Sequence, residues 1–155
     1  MLKYVVGDAT MPIVAGLKVI VHCVNDAGSW GSGFVLAINA RWKHVEDEYR
    51  RWHREGNAFH LGAVQFVKTE DDIVVANLVG QHRTIAMGER KPVRYTAIED
   101  GLRLVADFCV MNGATIHMPR MGCGLARGEW SVVEGIVEAV LVQRGIDVTV
   151  YDLSS

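Results

Sequence analysis

No stretch of this 155-residue chain approaches the roughly 18 unbroken apolar residues that a membrane span needs. The opening residues, Met1-Leu2-Lys3-Tyr4-Val5-Val6-Gly7-Asp8, lack the layout of a signal peptide. Cysteine is scarce. Cys23, Cys109 and Cys123 are odd in number and far apart, and no CxxC or HExxH occurs. Neither a disulfide framework nor a zinc site is indicated, so a reducing cytoplasm with no metal or cofactor is the expectation. An excess of positive charge is also missing: Lys plus Arg is 16, Asp plus Glu is 18, and the net charge is −2. Broad nucleic-acid binding needs clustered cations and is not expected. A local anion site stays open, because backbone amides can build one without net charge.

What is present describes a folded domain. Half the residues are apolar and 22% are charged, which excludes a disordered chain. The length suits one domain over residues 1–155, expected to be a monomer. Leu2–Val6 reads as a short strand and Leu17–Val24 as a buried one. Phe34–Trp42 and Lys43–Arg54 read as helices. Ala63–Thr69 and Ile73–Val79 flank Glu70-Asp71-Asp72 and suggest a hairpin.

Thr96 and Glu99 have capping-box spacing, which predicts a helix start there, with Ile98, Leu102, Val105 and Cys109 on its apolar face and a stop at Asn112-Gly113. Thr115–Met118 is the next strand. Ser131 and Glu134 repeat the capping-box spacing; Ile136, Val137, Val140 and Leu141 make the stripe of a helix stopped by Gly145, and Asp147–Tyr151 is the last strand. Strands alternating with helices, plus one hairpin, imply an α/β fold: a mixed sheet between helices, with ligands at the carboxyl ends of strands.

Four loops follow those strands. Asp8, in Gly7-Asp8-Ala9-Thr10, can accept hydrogen bonds from a purine amine; an Asx-turn or helix cap is the commoner use of such a residue. Asn25–Phe34 holds Gly28, Gly31 and Gly33 before a helix, a spacing that can wrap amides around phosphate oxygens. Leu36 stands where a dinucleotide fingerprint needs its third glycine, and no Walker lysine follows. Gly80–Arg94 carries Arg83, Arg90, Lys91 and Arg94, and reads as a solvated basic loop rather than as a lid. Pro119–Trp130 holds Gly122, Gly124 and Gly128, a second candidate cradle. Cys123 within it has no flanking Lys, Arg or His and reads as a packed thiol rather than a nucleophile. His22, inside an apolar strand that runs into the first glycine loop, suits either a core hydrogen bond or a ligand contact. His44, His53, His60 and His117 read as solvated or structural. Tyr151 can stack on a base.

Taken in order, Gly7-Asp8-Ala9-Thr10, His22-Cys23-Val24-Asn25-Asp26, Trp30-Gly31-Ser32-Gly33-Phe34, Asn77-Leu78-Val79-Gly80-Gln81-His82 and Met118-Pro119-Arg120-Met121-Gly122-Cys123-Gly124-Leu125 resemble a macrodomain, the ADP-ribose-binding module. The ending Val148-Thr149-Val150-Tyr151-Asp152-Leu153 fits as well, so the match spans nearly the whole chain. Among macrodomains, the chain looks nearest to the bacterial and phage group that processes ADP-ribose-1″-phosphate, akin to the terminal ADP-ribose glycohydrolase branch. The resemblance implies a three-layer α/β/α fold with a mixed central sheet, and ADP-ribose or an ADP-ribosylated substrate as partner. It implies Asp8 on the adenine amine with Ala9 beside it, and Tyr151 or Leu153 near the base. Trp30, Gly31, Ser32, Gly33 and Phe34 would line the diphosphate and distal ribose. Arg120, Gly122, Cys123, Gly124, Leu125 and Ala126 would form the other wall. Asn25 and Asp26 would sit by the distal ribose, and His22, Asp26 and His82 are the candidate acid/base groups, with Asn25 and Gln81 orienting ribose or water.

The chain departs from its relatives where chemistry is done. The glycohydrolase branch carries a lysine in the third loop and an aspartate after Gly-Cys-Gly-Leu; here those positions are Gln81 and Ala126. A lysine Schiff-base mechanism is therefore not supported. The Val-Asn-Ala-Ala-Asn of the commoner hydrolase branch is matched at Asn25, but Gly28 replaces its second Asn. The expectation is a protein that binds ADP-ribose and removes a group from C1″, with a non-catalytic reader module as the alternative.

Overall fold

The computed structural model describes residues 1–153. Six strands form one sheet: β1 (Leu2–Val6), β2 (Lys18–Asn25), β3 (Val64–Glu70), β4 (Ile73–Gln81), β5 (Thr115–Met118) and β6 (Val148–Asp152), in the order β1-β6-β5-β2-β4-β3. The first five in that order run parallel, and β3 closes the edge antiparallel to β4 through the hairpin. Four helices cover the sheet: α1 (Val35–Arg41), α2 (His44–Glu55), α3 (Tyr95–Asn112) and α4 (Trp130–Val140).

The helices fall into two layers, and the central strands show why. Side chains alternate along β2, so Val19 and Val21 join Ala76 and Leu78 of β4 against α3 and α4, while Ile20 and Val24 join Val75 and Val79 against α1 and α2. Both faces are covered, which is why β2 and β4 read as nearly continuous apolar runs. The result is the expected three-layer α/β/α arrangement with a mixed sheet. At Gly101 α3 lies so close to β4 that an added Cβ would come within 2.3 Å of Leu78. No described helix is long and apolar enough to cross a membrane.

Two helix starts differ from the expected ones. Neither Thr96 nor Ser131 caps its helix: α3 begins at Tyr95 after an extended Arg94, and α4 at Trp130 after an extended Glu129. Tertiary bonds set both points. The Arg94 amide donates to Gly80 O at 2.8 Å, beside the Gln81–Val93 bridge, and the Glu129 amide donates to the Tyr95 hydroxyl at 2.9 Å. Glu99 instead pairs with Arg103, and Glu134 takes the Tyr4 hydroxyl. The stripe of α4 also shifts: Val133 is fully buried and Ile136 only partly so. α4 ends at Val140, and Gly145 closes a short 3-10 turn beyond it.

Candidate functional site

Because five strands run parallel, their carboxyl ends emerge along one side of the sheet. A cavity of about 730 Å³ lies across them, within the usual range for small-molecule sites. Along the strand order its lining comprises Asp8 and Ala9 after β1, Tyr151 and Leu153 at β6, Arg120 and Gly122 after β5, Asn25 and the first glycine loop after β2, and Gln81 after β4. Four inter-strand steps of about 4.8 Å set Asp8 and Gln81 roughly 19 Å apart.

Of the sequence-derived candidates, His22, Asn25, Gln81, Asp8, Ala9, Trp30, Gly31, Ser32, Gly33, Phe34, Arg120, Gly122, Gly124, Leu125, Ala126, Tyr151 and Leu153 all line this cavity. Asp26, His82 and Cys123 are not in the lining. Asp26 and His82 pair with each other beside it: Asp26 Oδ2 lies 2.7 Å from His82 Nδ1, and Asp26 Oδ1 accepts the Arg83 amide at 2.7 Å. The Cys123 thiol reaches toward Met121 O at 3.5 Å, and burial pushes its pKa up, which suits the packed thiol rather than a nucleophile.

The two glycine loops are shaped differently. In the first, Asn25 organises the turn: its Oδ1 accepts from the Ala27 and Ser29 amides at 3.0 Å, and its Nδ2 donates to Ser29 O at 2.9 Å. Helix α2 braces that turn, with Tyr49 Oη donating to Asn25 O and Arg50 to Gly28 O. Gly28, at positive φ, lies so close to the His53 ring that a Cβ would overlap it. In the second loop the Gly128 amide donates to Gly122 O at 2.8 Å.

Gly31 and Gly124 stand apart from these. Neither has a positive φ, and an added Cβ at either would meet nothing within 4 Å. Both line the cavity. Among the described residues, the amides of Gly31 to Gly33 and of Gly122 to Ala126 donate to no other protein group. Two runs of free backbone donors thus flank one cavity, the arrangement that suits phosphate-like oxygens. Its charged lining side chains are Asp8 and Arg120, and Asp152 engages Arg120 through two bonds of 2.6 and 3.0 Å. Without net cationic side-chain charge, the amides would be the main anion donors.

Asp8 makes the expected Asx-turn: Oδ1 accepts from the amide and hydroxyl of Thr10 at 2.8 and 2.7 Å. Oδ2 takes no protein donor among the described residues. His22 makes a core hydrogen bond while also lining the cavity. Its Nε2 lies 2.5 Å from Asn77 Oδ1, and the Asn77 amide nitrogen donates to Gln65, so Nε2 carries the proton and Nδ1 is an acceptor. Burial pushes the His22 pKa down to about 4, leaving the ring neutral near pH 7. The third loop contributes Thr84, Ile85, Ala86 and Pro92 to the lining, which its charge pattern did not announce. Arg94 turns Nη1 onto the carbonyls of Lys91, Pro92 and Val93, whereas Arg83, Arg90 and Lys91 are exposed. Among the described residues no group of His, Cys, Asp and Glu could hold a metal ion.

No family model matches the chain. Among solved structures, a macrodomain protein from Streptomyces coelicolor is 51% identical, covers 98% of this chain and 99% of its own, and superposes with a TM-score of 0.88. A Bacteroides thetaiotaomicron protein is 48% identical over 99% of this chain and 98% of its own, with a TM-score of 0.94. Among curated proteins, the ADP-ribose glycohydrolase OARD1 of Bos taurus is 27% identical over 86% of this chain and 81% of its own. The chain also matches Chromodomain-helicase-DNA-binding protein 1-like of Danio rerio at 29% identity, spanning 15% of that protein's length.

Proposed function

The chain belongs to the macrodomain family, and from that premise we propose that its cavity binds ADP-ribose and that the protein hydrolyses a group from C1″. The observation that carries the reading is the pair of facing glycine runs. Gly31 and Gly124 have neither a packing nor a conformational reason to lack a side chain, and their neighbours' amides have no protein partner. A diphosphate lying between them would satisfy both runs. Asp8 Oδ2 then accepts from the adenine amine, with Ala9, Tyr151 and Leu153 beside the base. Gln81 and Thr84 reach the distal ribose. OARD1, a glycohydrolase by name, supports an activity on this ligand class.

In the hydrolytic step a water oxygen bonds to C1″ as the C1″–O bond to the departing group breaks. That group, a phosphate or carboxylate, leaves with the electron pair. The water's proton passes to a histidine nitrogen: Nδ1 of His22, a residue that lines the cavity, or Nε2 of His82, whose ring Asp26 orients by taking Nδ1–H. Asn25 holds the loop against which the ribose lies. A reader that binds without turnover is the second reading, favoured by the position of Asp26 and His82 outside the lining.

The test is calorimetry with ADP-ribose and NAD, run beside product analysis on ADP-ribose-1″-phosphate and on ADP-ribosylated protein. Binding with product establishes a hydrolase; binding without product selects the reader. Absence of ADP-ribose binding, or tighter binding of NAD, defeats the proposal.

A further inference from the structure

Arg120 is held more elaborately than a lining residue needs. Its Nε and Nη2 meet the two oxygens of Asp152 at 2.6 and 3.0 Å, a fork-to-fork pair. Its guanidinium carbon lies 5.1 Å from the centre of the Tyr4 ring and 5.5 Å from that of Trp130. Those rings meet edge to face, 6.4 Å apart and at 83°, with Trp130 Nε1 donating to the Tyr4 hydroxyl at 2.9 Å, while that hydroxyl bonds Glu134. Elements as distant in sequence as β1 and α4 therefore converge on one side chain. Arg120 lines the cavity at the end that holds Asp8, Ala9, Tyr151 and Leu153.

This cage does two things. It holds the guanidinium plane in one orientation, which a free arginine on a half-exposed surface would not keep. It also offsets the charge, because Asp152 takes the Nε–Nη2 edge, one of the two with which the guanidinium could pair an incoming anion. A flat, paired guanidinium is a good surface for an aromatic base and a poor one for a phosphate.

We infer that Arg120 is the specificity-determining residue of the adenosine end: the caged guanidinium is the wall against which the purine stacks, and its pairing with Asp152 disfavours ligands bearing a further phosphate on the adenosine ribose. The inference rests on the ADP-ribose reading above and deepens it. The Asp8 carboxylate at the same end adds to the discrimination, since it too repels an added phosphate.

Two ligands and two variants test it: ADP-ribose and ADP-ribose 2′-phosphate, measured by calorimetry on the wild type, Arg120→Lys and Asp152→Asn, with melting curves as a check on folding. The wild type should bind ADP-ribose at least tenfold more tightly than its 2′-phosphate, that factor being set by about 1.4 kcal/mol. Arg120→Lys keeps a cation but loses the plane, so ADP-ribose binding should weaken about tenfold with the same dependence on salt. Asp152→Asn frees the guanidinium charge, so the preference against the 2′-phosphate should shrink at least fivefold. If the wild type binds ADP-ribose while Arg120→Lys binds it equally well, or Asp152→Asn leaves the preference intact in a folded protein, the inference fails and the ADP-ribose reading survives. If the wild type does not bind ADP-ribose, both fall.

Discussion

Asp26 Oδ2 lies 2.7 Å from His82 Nδ1, and through that contact the loop after β2 is tied to the loop after β4. The Asp26 amide donates to Gln81 O at 3.0 Å and Oδ1 accepts the Arg83 amide, so one residue makes three links between the loops. On the hydrolase reading, Asp26→Ala or His22→Ala lowers turnover at least tenfold, about 1.4 kcal/mol or more in the barrier, with a modest loss of ADP-ribose affinity. Product formation timed on ADP-ribose-1″-phosphate decides it; full activity in both variants removes these groups from the mechanism.

Gly31→Ala and Gly124→Ala should separate folding from binding. The added methyl meets no protein atom within 4 Å, so the melting temperature should hold or rise slightly, as glycine-to-alanine changes do at compatible sites. ADP-ribose affinity should fall at least tenfold, because the methyl occupies the ligand's approach. A variant that melts like the wild type and binds equally well would show that the ligand does not pass there.

Gly101→Ala is the opposite case. Its Cβ would stand 2.3 Å from Leu78 Cγ in the main core, so α3 must move off β4. The expected cost is about 1–3 kcal/mol of stability, read from urea unfolding. An unchanged midpoint would mean that the α3–β4 approach is looser than these distances.

Acid should destabilise the fold within a defined window. Burial is the first cause that lowers both His22 and His117 from 6.5 to about 4, and for His117 the nearby Lys18 and Lys3 push the same way. Between those values the unfolded chain binds protons that the folded chain refuses. Stability is therefore full above about pH 6.5 and falls as the pH drops toward 4, by up to about 1.4 kcal/mol per pH unit for each histidine. Urea midpoints at pH 7, 5.5 and 4.5 would show the decline, and His117→Phe should flatten it if the substituted protein folds. A midpoint constant across that range would contradict the buried, neutral state of both rings.

The layered architecture was readable because β2 and β4 are apolar without alternation and because Gly113 ends α3 in a left-handed turn. Asp8 and the two glycine loops could be singled out because they follow strands in an α/β pattern, where ligands sit at the carboxyl ends. The helix starts were not, since Thr96 and Ser131 offered a local cap that the Gly80 carbonyl and the Tyr95 hydroxyl overrode from distant parts of the chain. Lys18 gave no signal either. It lies within β2 at 3% exposure, and its ammonium donates to Val14 O, Gly16 O and Asp72 Oδ2. The two rings against Arg120, Tyr4 and Trp130, stand 126 positions apart, a separation no local pattern reports.

Edge strand β1 pairs with β6, so Leu2 lies against Val148, 146 positions further along the chain. The β2–β4–β3 portion of the sheet is complete in sequence by residue 81 and can assemble early. Asp8 makes its own turn with Thr10, but the strand that carries it has no partner until β6 is made. Closing so long a loop is entropically slow, so the glycine turn after β2 can be in place well before the β1–β6 end of the cavity is assembled.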